Sequence, residues 1–459
     1  MKNELIHAMT ESFEGHAQET ENAQAGKLDA LKTHKKGLMQ QLFPREGETV
    51  PRLRFPEFRE AGEWVRIQLW QLGELVSGLT YSPDDVRDEG LLVLRSSNIQ
   101  NGVISLQDNV YVRPDIKGAN LSKPDDILIC VRNGSKPLIG KNALIPPGLP
   151  RSTHGAFMSA FRARHPKFVY QLFQTDAYER QVAADLGATI NSINGNTLRK
   201  YEFDIPESKE EQHKIADCLA SLDTLIAAEA EKLVALKTHK QGLMQQLFPR
   251  EGETVPRLRF PEFREAGEWE EKAVGDVGQV VTGSTPSTAN PEYYGGNIGF
   301  VSPADISDLR FVDKTKTSLT ELGFAQTRPI PACSVLVVCI GSTIGKIAQN
   351  TFDCATNQQI NSVLPNSDHD AAFLYYLLAR NSDSIAKLAG KHAVPIVNKT
   401  LFSSVSLLVP ELDEQRRIAD CLSSLDALIA AQTEKLDALK VHKQGLMQQL
   451  FPNPEAVAA

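Results

Sequence analysis

No apolar run in the chain approaches the roughly 18 residues that a membrane-spanning helix requires, so nothing in it reads as a span. Its opening stretch, Met1 to Gln24, is polar and acidic, unlike an export signal, and the expected location is the cytoplasm. The six cysteines (Cys130, Cys218, Cys333, Cys339, Cys354 and Cys421) form no CxxC pair and share no ligand spacing with histidine. Free thiols in a reducing compartment are therefore expected, with neither a disulfide frame nor a structural zinc site. Basic residues are not in excess either: 49 Lys and Arg face 57 Asp and Glu, a net charge of −8. That balance excludes a uniformly basic nucleic-acid coat but allows a local binding face. The ten histidines include no HExxH spacing, and His34, His239 and His442 are one helix position repeated.

What the chain does have is a repeat. Its 459 residues suggest two to four domains. Lys27 to Trp64 recurs as Lys232 to Trp269 with two changes in 38 positions, Asp29 against Val234 and Lys36 against Gln241. A third, partial copy runs from Lys435 to Pro452, and Glu210 to Glu231 matches Asp413 to Glu434. The intervening blocks, 66–207 and 270–410, are nearly equal in length and share little sequence. A period near 204 residues is far too long for a solenoid, so the chain is a duplication of a variable block followed by a constant helix.

The constant segments, 208–248 and 411–451, carry a seam. Ile215, Leu219, Leu222, Ile226, Glu229, Leu233, Leu236, Lys240, Leu243 and Leu247 step by four and three without a slip. So do Ile418, Leu422, Leu425, Ile429, Gln432, Leu436, Leu439, Lys443, Leu446 and Leu450. This 3.5-residue period calls for a coiled-coil partner, and about 40 residues make a rod of roughly 60 Å. Pro206 and Pro410 precede the rods, and Pro249 and Pro452 end them. Because both carry the same seam, they are expected to pair with each other, antiparallel and with pseudo-two-fold symmetry. The linkers 44–65 and 249–269 contain PRLRFPEF, read as extended, proline-stiffened chain whose Phe and Trp dock on the following block. Residues 27–43 continue the seam through Leu28, Leu31, Lys35, Leu38 and Leu42, predicting an added N-terminal helix. The polar N-terminal tail 1–26 is expected to be frayed or weakly helical, and 452–459 is a short tail.

Within the variable blocks, 90–99, 126–132, 299–301 and 334–340 read as strands, and 168–184 and 370–388 as helices. Block 66–207 holds 16 basic and 15 acidic residues, and block 270–410 holds 10 and 12. Several chemical motifs fail. Gly341 to Lys346 (GSTIGK) lacks one spacer of a phosphate loop and has Ile347 where a hydroxyl must reach the metal. Gly134 to Asn142 has one residue too many. Asn290-Pro-Glu-Tyr293 misses the second proline of the adenine-methyltransferase pocket, and Pro124-Asp125 with Glu207 and Lys209 is too dispersed for a nuclease metal site. No catalytic residue and no metal ligand is assigned.

What remains are basic and amide-rich loops. In the first block the candidates are Arg95, Ser97, Asn98, Arg132, Asn133, Ser135, Lys136, Lys141, Asn194, Arg199 and Lys200. In the second they are Ser284, Thr285, Ser302, Ser342, Thr343, Lys346, Asn357, Gln358, Gln359, Asn398 and Lys399. Arg and Lys suit guanine O6 and N7, Asn and Gln suit adenine N6 and N7, and hydroxyls suit phosphates. Set on corresponding loops of two divergent blocks, they point to double-stranded DNA. The rival reading is a coiled-coil scaffold whose two divergent domains bind proteins or peptides; neighbouring genes encoding methyltransferase and helicase motifs would separate the two.

The layout resembles the specificity (S) subunit of type I restriction-modification systems. The resemblance rests on the EQxxIADCL helices ending in KQGLMQQLFP, on PRLRFPEF, on TGSTPSTANPEYYGG with SPADI, and on IGSTIGK followed by TNQQIN. It implies an α+β fold: two α/β target recognition domains, 66–207 and 270–410, separated by a long antiparallel two-helix coiled coil with pseudo-two-fold symmetry. Each domain would read half of a bipartite DNA site, and the helices would set the unread spacer. It implies as partners two methyltransferase (M) subunits and restriction (R) subunits, with no membrane. S-adenosylmethionine, ATP and Mg would belong to those partners, leaving this chain without a cofactor and without catalysis. The helix copy ahead of the first domain departs from the family's pattern, and Lys27 to Phe43 and Lys435 to Phe451 would seek equivalent positions.

Overall fold

A computed structural model describes residues 51, 53–186, 191–307, 309–390 and 395–450. The tail 1–26, the helix expected at 27–43 and the tail 452–459 lie outside the described residues. The chain divides into two units, residues 1–229 with 435–459, and residues 230–434.

In the first unit, β1 (Val65–Gln68), β2 (Gly73–Ser77), β3 (Leu91–Leu94), β4 (Ile127–Cys130), β5 (Asn142–Leu144), β6 (Ser152–His154) and β7 (Met158–Ala163) precede helices α1 (Pro166–Leu172) and α2 (Asp176–Asp185). Strand β8 (Glu202–Ile205) then returns to pair antiparallel with β1, closing the module just before α3 (Lys209–Leu247). One sheet has the order β2-β7-β4-β5, all antiparallel; in the other, β6 runs parallel to β3. Strand β4 explains why two layers form. All four of its residues are buried, and period-two alternation sends Ile127 and Ile129 into the helix-side core and Leu128 and Cys130 into the core of the second sheet.

The second unit repeats the plan with different residues. Its strands are β9 (Glu270–Ala273), β10 (Gly278–Thr282), β11 (Tyr294–Val301), β12 (Val335–Val338), β13 (Ile347–Asn350), β14 (Cys354–Thr356) and β15 (Ile360–Pro365). Helices α4 (Ala371–Arg380) and α5 (Ser382–Lys387) follow, then β16 (Ser406–Val409), which pairs with β9, and α6 (Leu412–Leu450). The main sheet contains β10-β15-β12-β13, and β11 runs parallel to β14 as β3 does to β6. Central β12 splits its side chains as β4 does: Val335 and Val337 enter one core, Leu336 and Val338 the other.

Three expectations are corrected by local chemistry. The helix expected over 168–184 is two helices, because Thr175 donates its hydroxyl to the Leu172 carbonyl (2.6 Å) and accepts from the Tyr178 amide (3.4 Å), starting a new N-terminus. The helix over 370–388 breaks at Asn381, whose side-chain amide bonds back to the Leu377 carbonyl (2.7 Å). The strand over 90–99 stops at Leu94, where the Arg95 amide donates to Asn98 Oδ1 (2.9 Å) and turns the chain.

The constant sequence does the same work in both units. The linker arginine Arg54 donates through Nε and Nη2 to both carboxylate oxygens of Glu211 at 2.7 Å, and through Nη1 to the Ala61 and Gly62 carbonyls. Arg259 does likewise with Glu414, Ala266 and Gly267. The glutamine after each glutamate, Gln212 or Gln415, donates to the Pro206 or Pro410 carbonyl at 2.8 Å. The Glu-Gln pair at the helix start is thus a latch that fixes linker and last strand together. Trp64 and Trp269, at 5% and 4% exposure, dock into the modules that follow.

The helices pair antiparallel within each unit. In the first, Asp223 and Glu229 of α3 meet Lys443 and Lys435 of α6, while Ile215, Leu219, Met447 and Leu450 share one core. In the second, Lys240 of α3 meets Asp426 of α6, and Leu247 shares a core with Ile418 and Leu422. Of the seam side chains, Ile215, Leu219, Leu247, Ile418, Leu422, Leu425, Leu436 and Leu450 are buried; Leu222, Ile226, Leu233, Leu236, Leu243, Ile429, Leu439 and Leu446 are half-buried. The aspartates are shared: Gln171 of α1 donates to Asp223 (3.2 Å), and the Tyr376 hydroxyl of α4 donates to Asp426. Arg310 extends the second network, donating to Tyr376 (3.0 Å), Ser423 (2.8 Å) and Gln349. Each module is therefore hydrogen-bonded to its own stretch of helix pair.

Candidate nucleic-acid interface

In the first unit the loops after β2, β3 and β4, the turn before β7 and the segment before β8 meet at one edge. Backbone bonds bring them there: Leu79 N–H to the His154 carbonyl, Gly155 N–H to Leu94, Arg132 N–H to Phe157, and Ile193 N–H to Val131. Asn133 bonds its side chain to Ser96 Oγ (3.0 Å) and accepts from the Ser135 amide (2.9 Å), joining two of these loops. Arg132 is exposed, and its guanidinium lies 5.8 Å over the ring of Phe157, itself 57% exposed. A cation on an exposed aromatic offers a base both a bidentate donor and a stacking face.

The other first-unit candidates divide. Ser135 is exposed, and Lys136, also exposed, reaches the Leu186 carbonyl at 3.4 Å. Lys141 is half-buried in the turn between β4 and β5, where its carbonyl accepts from the Cys130 amide (2.9 Å). Asn194 accepts from the Asn196 amide (2.8 Å), beginning a helical turn. Arg199 and Lys200 are exposed beside β1, where the Trp70 amide donates to the Arg199 carbonyl (3.1 Å). Ser97 is half-buried, and Arg95 is held by Asp108 (2.8 Å). Asn98 departs from expectation: it is fully buried and its amide donates to the Ser105 and Asp108 carbonyls, both at 3.0 Å, so it shapes the loop from within.

The second unit gathers the equivalent loops with other residues. Ser284 N–H bonds to the Thr356 carbonyl, Asn357 N–H to Val301, Cys339 N–H to Gln359, Gly341 N–H to Pro395 and Val397 N–H to Cys339. Side chains complete the edge: Thr285 donates to Gln358 (2.6 Å), Asn357 to Gln359 (3.0 Å), and Gln359 to the Ile340 carbonyl (3.4 Å). Ser342 is exposed and Thr343 half-buried in the turn after β12; Lys346, exposed, donates to the Ile306 carbonyl (3.2 Å). Gly341 and Gly345 hold φ of 97° and 90°, a backbone that L side chains rarely adopt, and the segment continues into strand β13 rather than a phosphate-binding helix. Asn398 accepts from the Leu401 amide (2.9 Å), and Lys399 is exposed on the helical turn it starts. Ser302 is half-buried, and its hydroxyl and amide both bond to Asp305, at 2.7 and 2.9 Å, closing a turn.

Two residues escaped sequence reasoning. Phe157 follows Gly155 and Ala156 in the turn before β7, whose first four residues are all buried, so in sequence it reads as one more core aromatic. Arg328 was hidden because its role, donating to the Thr282 carbonyl at 2.6 Å, joins segments 46 residues apart. Beneath the edges, burial pushes the Cys130 thiol up and holds Cys339 at about 11, so both are neutral near pH 7. Burial likewise lowers the pKa of His154, whose Nε2 lies 3.1 Å from the Val76 carbonyl. Among the described residues no His, Cys, Asp and Glu group could hold a metal ion, and no helix is long and apolar enough to cross a membrane.

Two unlike α/β modules, each latched to the start of the long helix that follows it and each offering a polar loop edge, define a duplicated architecture. The chain belongs to the family of the type I restriction modification DNA specificity domain, whose model matches residues 62–238 and 266–441. It is similar to the type I restriction enzyme HindI specificity subunit of Haemophilus influenzae, at 26% identity over 53% of this chain and 68% of that one. Similarity to the StySPI specificity subunit of Salmonella potsdam, at 22% identity, spans 84% of this chain and 88% of the relative. The fold matches the crystal structure of a type I restriction-modification S subunit from M. genitalium with a TM-score of 0.58 and 16% identity, covering 88% of this chain and 99% of that one.

Proposed function

We propose that each module reads one half of a bipartite duplex target through its loop edge, as the DNA sequence-specificity subunit of a type I restriction-modification complex. The observation that carries this reading is the same convergence of loops in both units, built from different side chains: Arg132 on Phe157 in one, Thr285 with Gln358 and Asn357 with Gln359 in the other. A repeated scaffold with divergent edges is what two unrelated half-sites require. The helices, at about 1.5 Å per residue over 39 residues, act as the ruler that sets the spacer, and they dock two methyltransferase subunits. Restriction subunits join that core. The chain itself performs no chemistry; the failed motifs support this, and S-adenosylmethionine, ATP and Mg belong to the partners.

The test is Arg132→Ala in the assembled methyltransferase complex. Loss of a base-edge contact weakens binding to the first half-site by ~1–3 kcal/mol and relaxes its sequence, leaving the second half-site unchanged. Single-molecule methylation sequencing reads both halves at once. An unaltered methylation pattern with unaltered affinity overturns the assignment.

A further inference from the structure

In the first unit, the groove formed by the start of α3 and its module is filled by the end of α6. Met447 and Leu450 enter the core with Ile215 and Leu219, and Lys443 pairs with Asp223. In the second unit the equivalent groove, lined by Ile418, Leu422 and Phe373, is filled by Leu247 and Phe248, with Lys240 on Asp426. The fillers differ in how they are attached. Residues 232–248 lead straight into their module's own linker, whose Leu258 amide folds back onto the Gln246 carbonyl (3.0 Å), with Trp269 packed on Phe248 at 5.9 Å. Residues 435–450 arrive from the far end of the chain.

The sequence supplies the first module with a segment attached in the first of these ways. Lys27 to Phe43 precedes a linker whose first eight residues, Pro44 to Pro51, are identical to Pro249 to Pro256. It differs from Lys435 to Phe451 at two positions, Thr33 for Val441 and Lys36 for Gln444. Val441 and Gln444 are both exposed, so the groove-facing groups of 435–450 have identical counterparts: Lys35 for Lys443, Met39 for Met447 and Leu42 for Leu450. An eight-residue tether gives the adjoining segment an effective concentration on the order of millimolar. The linker also retains unused apolar surface: Leu53 is 41% exposed, while its repeat equivalent Leu258 packs against the second unit's core.

We propose that Lys27–Phe43 binds, as a helix, in the first unit's groove, in exchange with Lys435–Leu450. The groove has two claimants in one chain, and occupation by the first releases the end of α6. The inference does not depend on what the loop edges read.

Hydrogen–deuterium exchange on the full chain tests it, because peptides from the two copies differ in mass. Lys443→Glu with Leu450→Asp sets a carboxylate against Asp223 and another in the core, disfavouring the distal claimant. The expected result is that 27–43 slows at least tenfold relative to the parent, while 209–229 keeps its protection. Adding Lys35→Glu and Leu42→Asp disables both claimants, and 209–229 then exchanges at least tenfold faster. Exchange of 27–43 at the parent rate in the first variant overturns the proposal, whatever happens to α6. Slowing that disappears on tenfold dilution also overturns it, since the occupant would then come from a second copy.

Discussion

Removing the latch arginine of the second unit should cost far more than any surface charge. Arg259 and Glu414 are 8% and 3% exposed, and two bonds of 2.8 and 2.7 Å join them in a fork. The carboxylate's bonds hold the guanidinium pKa above its usual value. Arg259→Ala leaves Glu414 charged and buried and strips the donor from the Ala266 and Gly267 carbonyls. Breaking one side of such a pair costs ~3–5 kcal/mol, whereas replacing both partners by apolar groups of similar size is close to neutral. Arg259→Met with Glu414→Leu should therefore recover most of the loss. The comparison is Arg257→Ala, which removes an ion pair to Glu253 with 53% and 35% exposed side chains, worth ~0–1 kcal/mol. Urea unfolding of the second unit, followed by exchange protection at 259–269 and 412–422, reads all three. A cost below ~1 kcal/mol for Arg259→Ala, the surface-pair range, or a double variant no better than the single, would refute the latch.

Three further outcomes follow from the same structure. His154 has its pKa depressed chiefly by burial, so its contribution is complete above pH 6.5 and is lost as pH falls through the depressed value in the folded state; urea midpoints for β6 unfolding should fall below pH 6.5 in the parent and show a weaker slope in His154→Gln. Gly345→Ala forces a side chain into φ 90° with its Cβ 3.3 Å from the Ser382 carbonyl, and should lower stability by ~1–3 kcal/mol and disorder the turn carrying Ser342 and Lys346, measured by thermal unfolding and by methylation at the second half-site alone. Deleting one heptad from both α3 and α6 shortens each by about 10 Å, or roughly three base pairs at about 3.4 Å each; methylome sequencing should find both half-sites retained with a shorter spacer, and an unchanged spacer would end the ruler reading.

Much of this protein could be read from its residues in order. Helix periodicity is local, so the stepping of Ile215 to Leu247 and Ile418 to Leu450 named both long helices, and the repeat named two equivalent modules. The all-apolar runs ILIC and VLVV marked central strands for the same reason: a strand buried on both faces needs no polar side. Tertiary structure decided what depends on distant partners. Asn98 looks like any exposed loop amide, and only its burial and its bonds to the Ser105 and Asp108 carbonyls show it turned inward. Phe157 carries a cation over its exposed ring only because Arg132, 25 positions earlier, is bonded to its carbonyl and lies beside it. The choice of helix copy in the first groove is the clearest limit. Two segments with the same groove-facing side chains have the same local preferences and the same pairing chemistry, so nothing in their sequence ranks them. The length of chain that joins each segment to the groove is legible in the sequence, but the groove itself, built from Ile215, Leu219 and Asp223 with the module, exists only once the unit is folded.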